Sequence, residues 1–426
     1  MMRKLTAVVA GGGSRGRLVY AAFARKFPEM LQIVAVAELN KGRRELFAKE
    51  NNISADMVFS SAEEMFKKGK IADMAIISSQ DRDHYAHAMT ALNLGYDLIL
   101  EKPISPSLKE CQEILEPATR LKRKVSVSHV LRFAPFYQTA KKLISSGALG
   151  TIISIRMAEN VGFWHFSHSY VRGMWNNEAK ASPSILAKSS HDLDLIVWLT
   201  GSKCSYLNST GGLRWFKKEN APEGATARCI DCPVKGGCPF DAEKIYIRDK
   251  TTGCRHNGFT SLHFALTPER SEEAIREALK TTPFGRCVYY SDNDVSDDQL
   301  VQGRMENGID FSFGLSAFSA ECYRTLHVLG TKGEITGNLE ENCIYFQPFG
   351  KEKQKIEFDV ESTFAGHGGG DDRLIEGVIR YINGEWNDNL TTLDMSMESH
   401  FMAFAAEKSR KTGSEPVDMK AFRGSV

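Results

Sequence analysis

Short apolar runs alternate with amphipathic stretches through the first 130 residues. The runs at 5–10, 32–38, 73–78, 97–100 and 124–128 are rich in Val, Ile and Leu and carry no charge at their centres, so they read as strands buried on both faces. Between them, 15–27, 41–51, 84–94 and 108–122 have helical spacing; the first ends before Pro28 and the third at Gly95. Strands alternating with helices of this length predict a parallel, doubly wound α/β sheet. Further on, 184–199 is helical in pattern, with Ile185, Leu186, Leu195, Ile196 and Leu199 apolar. A turn at Gly368-Gly369-Gly370-Asp371 precedes a helix over 372–382, and a loop role is expected for His367 beside it.

The first strand–helix turn reads Gly11-Gly12-Gly13-Ser14-Arg15-Gly16, which fits G-x-G-x-x-G. Gly11 permits the tight turn, Gly13 lets backbone approach a pyrophosphate, and Gly16 lets the helix pack closely on the strand, while the helix N-terminus supplies free N–H groups. Glu38 lies 22 residues after Gly16, at the end of the second strand, where a carboxylate accepts hydrogen bonds from ribose hydroxyls. It would repel a 2′-phosphate, which favours NAD over NADP, although Arg43 and Arg44 follow closely. Glu101-Lys102-Pro103 directly follows the strand at 97–100, so Lys102 points into the crevice where ligands of such sheets bind.

Composition narrows the function classes. The chain has 426 residues, room for two or three domains. Its 54 Lys+Arg balance 53 Asp+Glu, so no broad nucleic-acid-binding surface is expected, and no apolar run approaches the length of a spanning helix. Residues 5–10 run straight into glycines and read as a strand rather than a signal peptide. Nine cysteines, an odd number in a long chain, favour a reduced cytoplasmic protein.

Several segments together resemble the Gfo/Idh/MocA family of NAD(P)-dependent oxidoreductases. They are Gly11–Gly16, Ile76-Ile77 followed by His84, Glu101-Lys102-Pro103, Arg132-Phe133-Ala134-Pro135, Gly147-Ala148-Leu149-Gly150, His191-Asp192-Leu193-Asp194 with Trp198-Leu199-Thr200-Gly201, Leu329-Gly330-Thr331-Lys332-Gly333 and Glu398-Ser399-His400. The resemblance spans most of the chain except an insertion near 215–300. It implies an NAD-binding Rossmann domain over 1–128. A substrate-binding and oligomerisation α/β domain over 129–426 would carry a large, open, mostly antiparallel sheet. The same likeness implies a homodimer or homotetramer and a sugar, inositol or related polyol substrate, with no nucleic acid or membrane partner. Lys102 and His191 become the catalytic pair, Lys102 polarising the reacting oxygen and His191 moving the proton; Gly11, Gly13, Ser14, Arg15, Gly16, Glu38, Glu101 and Lys102 become the cofactor contacts.

Histidine suits this work because its pKa lies near neutrality, and Lys188, at i−3, would disfavour the imidazolium. One departure matters: Ala187 stands four positions before His191, where many relatives carry an acid. Lys188 either replaces that acid or orients substrate hydroxyls. Trp164, His165 and Arg172 lie in a loop suited to stacking on a sugar ring or pairing with a sugar acid.

The insertion holds Cys229-x-x-Cys232-x5-Cys238, a spacing that lets thiolates share a tetrahedral metal. Cys287, Cys254 or His256 supplies a fourth ligand; Cys287 is preferred because residues 285–289 look strand-like and able to fold back. A structural zinc stands against free thiols or a labile disulfide. Asp292-Asn293-Asp294 with Asp297-Asp298 reads as an exposed acidic turn.

The leading reading is an NAD-dependent dehydrogenase acting on a sugar or polyol secondary alcohol. The alternative is a redox-neutral, NAD-using glycosidase or epimerase on the same fold. A third is a nucleotide-binding sensor without turnover.

Overall fold

A computed structural model describes residues 2–360 and 367–425. The first sheet contains β1 (Leu5–Ala10), β2 (Leu31–Ala37), β3 (Val58–Phe59), β4 (Met74–Ile77), β5 (Asp97–Leu100) and β6 (Val125–Val127), in the order β3-β2-β1-β4-β5-β6. Every neighbouring pair is parallel. The apolar runs are strands because helices cover both faces, and β4 is buried at every position. Strand order reverses between β1 and β4, so a crevice opens at the carboxyl ends of these strands. The first helix begins as a π turn, Gly16–Tyr20, and continues as Ala21–Lys26. Asn40 caps Lys41–Glu50, its side chain accepting from the Arg43 N–H at 3.0 Å.

The second sheet has nine strands: β7 (Ile152–Gly162), β8 (Cys204–Gly212), β9 (Asp298–Met305), β10 (Asp310–Ser319), β11 (Tyr323–Gly330), β12 (Gly333–Asn338), β13 (Cys343–Pro348), β14 (Gln354–Glu357) and β15 (Val417–Asp418). Their order is β14-β13-β12-β11-β7-β10-β9-β8-β15; only β7 and β10 pair in parallel. Alternate residues of β10 and β11 are buried, the period expected when one face packs and the other stays open. Helices Ser184–Thr200 and Leu393–Lys411 pack together beneath the covered face. The second of these joins the domains: Leu393 and Met397 enter the apolar core of the first sheet, and the Val127 N–H donates to Thr391 O at 2.9 Å.

Residues 213–297, between β8 and β9, form the insertion. It has a small core of its own built on Ile245, Tyr246, Ile247, Ile275 and Leu279. It also reaches the first domain: the Phe264 ring lies under Arg17 at 4.7 Å, and Arg43 Nη2 donates to Ala265 O at 2.9 Å. Two expectations are corrected here. Residues 285–289 form no strand, only a single bridge between Arg228 and Arg286. The acidic turn is not uniformly exposed, because Asp297 is fully buried and accepts the N–H groups of Arg214 and Trp215 at 2.9 and 2.8 Å. Among the described residues no helix is long and apolar enough to cross a membrane.

Candidate active site

The glycine turn sits at the crevice, where β1 meets the first helix. Gly11 has φ +104°, and a Cβ there would lie 2.3 Å from Ser78 O; a Cβ on Gly16 would lie 2.1 Å from Gly11 O. A Cβ on Gly13 would meet nothing within 4 Å, which leaves open space where a pyrophosphate would approach. Ser14 is exposed at the same mouth. Glu38 follows β2, half-buried, with Oε1 accepting the Asn40 N–H at 2.9 Å. These features fit a dinucleotide. Arg15, expected as a cofactor contact, has its guanidinium on Glu101 at 2.5 Å and Asp371 at 2.7 Å.

Lys102 follows β5, and the Lys102–Pro103 peptide is cis. Its Nζ donates to Ala187 O, on the helix that carries His191. Burial lowers the Lys102 pKa to about 8, with repulsion from Lys188 and Arg15 acting against the attraction of Glu101 and Asp81. His191 is buried, and its Nδ1 has no hydrogen-bond partner, unusual for an enclosed polar atom. Burial, reinforced by Lys102, His129 and His367, holds its pKa well below the ordinary value, so the ring is neutral.

Around this pair lies a charged relay. Tyr20 OH donates to Glu101 Oε1 at 2.6 Å, Arg15 bridges Glu101 to Asp371, and Asp371 Oδ2 lies 3.0 Å from His367 Nδ1. Although burial opposes it, Arg15 and His367 keep the Asp371 carboxyl well below its usual range. The His367 ring lies 5.9 Å from His191, so His367 belongs to the site and not to a bystander loop. Glu101 thus positions Arg15 and Tyr20, and its carboxylate is already satisfied.

His129 was missed, though its place directly after β6 was the available signal. Its ring is 5.6 Å from His191, and its Nε2 lies 2.7 Å from Ser396 Oγ. Asp194 is held by Arg132 through two bonds of 2.7 Å. Lys188 also departs from expectation. It pairs with Glu159 at 3.1 Å, and Glu159 and Asp192 both face Arg324, at 2.5 and 3.0 Å. Glu159 answers the Lys188 charge, and Lys102 leads the charged groups that hold His191 neutral.

Of the loop residues, Trp164 stacks on His165 with centroids 5.4 Å apart, and His165 Nδ1 lies 3.5 Å from Cys322 Sγ. Lys188 is among the charges that lower the His165 pKa, which puts the two side chains in one neighbourhood. Arg172, expected to face a sugar acid, turns the other way. It is 2% exposed and spends its donors on Arg286 O at 2.7 Å, Phe240 O at 2.6 Å and Cys229 Sγ at 3.4 Å. The segment expected as a loop is instead two short helical turns, Phe163–Phe166 and Ser167–Arg172, and the Arg172 side chain turns from the second into the insertion. Cys229, Cys232, Cys238 and Cys287 come together around one small cavity, from which Cys254 and His256 are absent. Among the described residues no three His, Cys, Asp or Glu side chains are spaced, as they stand, to hold a metal.

Known proteins match the chain in both domains. Residues 5–129 match the oxidoreductase family model for an NAD-binding Rossmann fold, and 141–419 match the same family's C-terminal alpha/beta domain. Putative oxidoreductase YteT of Bacillus subtilis is 25% identical over 384 residues, 84% of this chain and 79% of that protein. Inositol 2-dehydrogenase of Corynebacterium glutamicum is 26% identical over 180 residues, 41% of this chain and 45% of that enzyme. This chain therefore spans less than half of that relative. Levoglucosan dehydrogenase, solved with NADH and levoglucosan, superposes with a TM-score of 0.70 at 16% identity, covering 98% of this chain and 99% of that one. With both domains matched and the fold shared throughout, the chain belongs to the Gfo/Idh/MocA family of NAD-binding oxidoreductases.

Proposed function

We propose that this chain oxidises a ring secondary alcohol of a sugar, inositol or related polyol, with NAD as hydride acceptor. The observation that carries the reading is the meeting of Lys102, from the nucleotide domain, with the helix of a neutral, unpartnered His191 from the second domain. The division falls near residue 128, with the cofactor on one side and the substrate on the other. Bound NAD⁺ supplies a hydride acceptor. The Lys102 ammonium then holds the substrate oxygen, and His191 takes its proton as the C–H hydride departs. His367, backed by Asp371, stands beside His191 where an acid four positions earlier would otherwise act; Ala187 offers only its carbonyl, to Lys102. Trp164 and His165 offer an aromatic wall for a sugar ring.

NAD is favoured over NADP because Glu38 faces the ribose position. The nearby arginines are also occupied: Arg43 by the insertion, Arg44 by the main-chain oxygens of Glu38 and Leu39. The open face of the second sheet, with Ile153 and Leu300 exposed, supports a homodimer or homotetramer. Nine unpaired thiols suit the reducing cytoplasm.

The test is NAD⁺ reduction across inositols, aldoses, sugar acids and glycosides, with sugar products analysed in the same wells. NADH formed with a subset of polyols supports the dehydrogenase. Sugar conversion that needs NAD⁺ but yields no net NADH would replace it with the redox-neutral alternative, which Ala187 keeps in view. Light scattering showing a monomer would remove the oligomer.

A further inference from the structure

We propose that Cys229, Cys232, Cys238 and Cys287 bind one zinc ion as a tetrathiolate clasp that fastens the insertion beside the substrate loop. Two segments about fifty residues apart deliver the thiols. The Cys229 N–H donates to Gly285 O and the Cys287 N–H to Ala227 O, both at 2.9 Å, so these two cysteines sit on adjacent antiparallel strips. Cys232 and Cys238 follow on tight turns, their N–H groups donating to Cys229 O at 3.2 Å and Lys235 O at 3.0 Å. All four thiols line one cavity of about 20 Å³, room for a single water-sized or ion-sized occupant.

Arg172 points to what that occupant is. It is almost completely buried, no carboxylate pairs with it among the described residues, and its Nη1 has no partner. Its Nη2 donates to Cys229 Sγ at 3.4 Å, the Tyr246 hydroxyl also meets it, and its charge is felt at Cys238 and Cys287. A buried guanidinium without a counter-anion is costly. Four neutral thiols do not answer it; four thiolates around Zn²⁺ carry a net charge of about −2 and do. As the side chains stand they are too far apart to ligate, so binding must draw them inward, releasing four thiol protons for each Zn²⁺ bound. No oxidant is involved. Arg172 ends the segment Ser167–Arg172 that begins just after Trp164 and His165, so the clasp would steady the wall of the substrate site.

The full-length protein, purified without chelator and equilibrated with Zn²⁺ before desalting, should hold about one zinc per chain by elemental analysis. Titration with a mercurial should release it as four thiols react, read with a zinc-sensitive dye. Co²⁺ exchanged into the site should show thiolate-to-cobalt charge-transfer absorption. Cys232→Ser, at a half-exposed position, and Cys287→Ser should each lose the bound zinc, whereas Cys254→Ser should keep it. Less than about a tenth of an equivalent after equilibration, zinc retained in both ligand variants, or iron with acid-labile sulfide in its place would each overturn the proposal. None of these readouts depends on catalytic turnover.

Discussion

The Lys102 ammonium donates to the main-chain oxygen of Ala187, four residues before His191 on the same helix. A lysine from one domain is thereby fixed against the helix that presents the histidine of the other. Replacing Lys102 with Met removes both the charge and this tie. Turnover should fall by about 10²- to 10⁴-fold, the usual worth of a positioned acid, base or charge, and His191→Ala should fall comparably. NAD⁺ affinity measured by fluorescence titration should barely change in either variant. Retained turnover in His191→Ala would remove its assignment.

The same pair sets a pH profile. Burial lowers the Lys102 pKa to about 8 and keeps His191 neutral far below its ordinary value. If ammonium is the working form of Lys102, kcat/KM for oxidation should fall as pH rises through about 8, with no acid limb near 6.5. A rate that climbs through pH 8 would instead make neutral Lys102 the base.

Glu38 should govern cofactor choice. In Glu38→Ala the ribose loses a charged acceptor, worth about tenfold or more in NAD⁺ affinity, while repulsion of a 2′-phosphate disappears. The ratio of kcat/KM for NAD⁺ to that for NADP⁺ should drop. An unchanged ratio would mean that Glu38 does not face the ribose.

Acid should unfold this protein through its histidines. His129, His165, His168, His191, His367 and His400 are all pushed below their ordinary pKa by burial. The unfolded chain binds protons at these sites from about pH 6.5 downward while the folded chain refuses them, so stability falls as pH drops. Each such histidine costs up to about 1.4 kcal/mol per pH unit between that point and its own folded pKa, least for His367, which Asp371 pulls back up. Urea unfolding at pH 7.5 and 5.5 should show the loss; equal stability would contradict neutral burial.

Arg324 joins Glu159, on the adjacent strand, to Asp192, on the His191 helix. Arg324→Met would strand the buried Asp192 carboxylate and leave Glu159 with Lys188 alone, which should cost about 3–5 kcal/mol, seen as a clear drop in Tm. An unaltered Tm would show that the cluster relaxes without it.

The alternating sheet of the first domain was legible because parallel strands buried on both faces leave unbroken apolar runs. The strand Val58–Phe59 was not, since two edge residues pairing only with β2 carry no periodic signal. Lys102 and His191 were readable from motif position. His129 was not placed although its position after β6 offered a signal; Asp371 and Arg324 were not placed because their roles come from contacts across 132 to 356 residues of chain that no local pattern encodes. Arg172 shows the limit most sharply: it lies in the helical turn Ser167–Arg172 where a loop was expected, and which way its side chain turns depends on the insertion that receives it.

The central claim is net hydride transfer from a polyol carbon. A substrate found in the NAD⁺ screen, deuterated at the reacting carbon, should deliver about one deuterium into NADH per molecule oxidised, detected by mass spectrometry, with a slowed rate if this step limits turnover. Product formed with the deuterium still on carbon, or lost to water while NAD⁺ is unconsumed, would contradict the dehydrogenase and leave redox-neutral chemistry at Lys102 and His191.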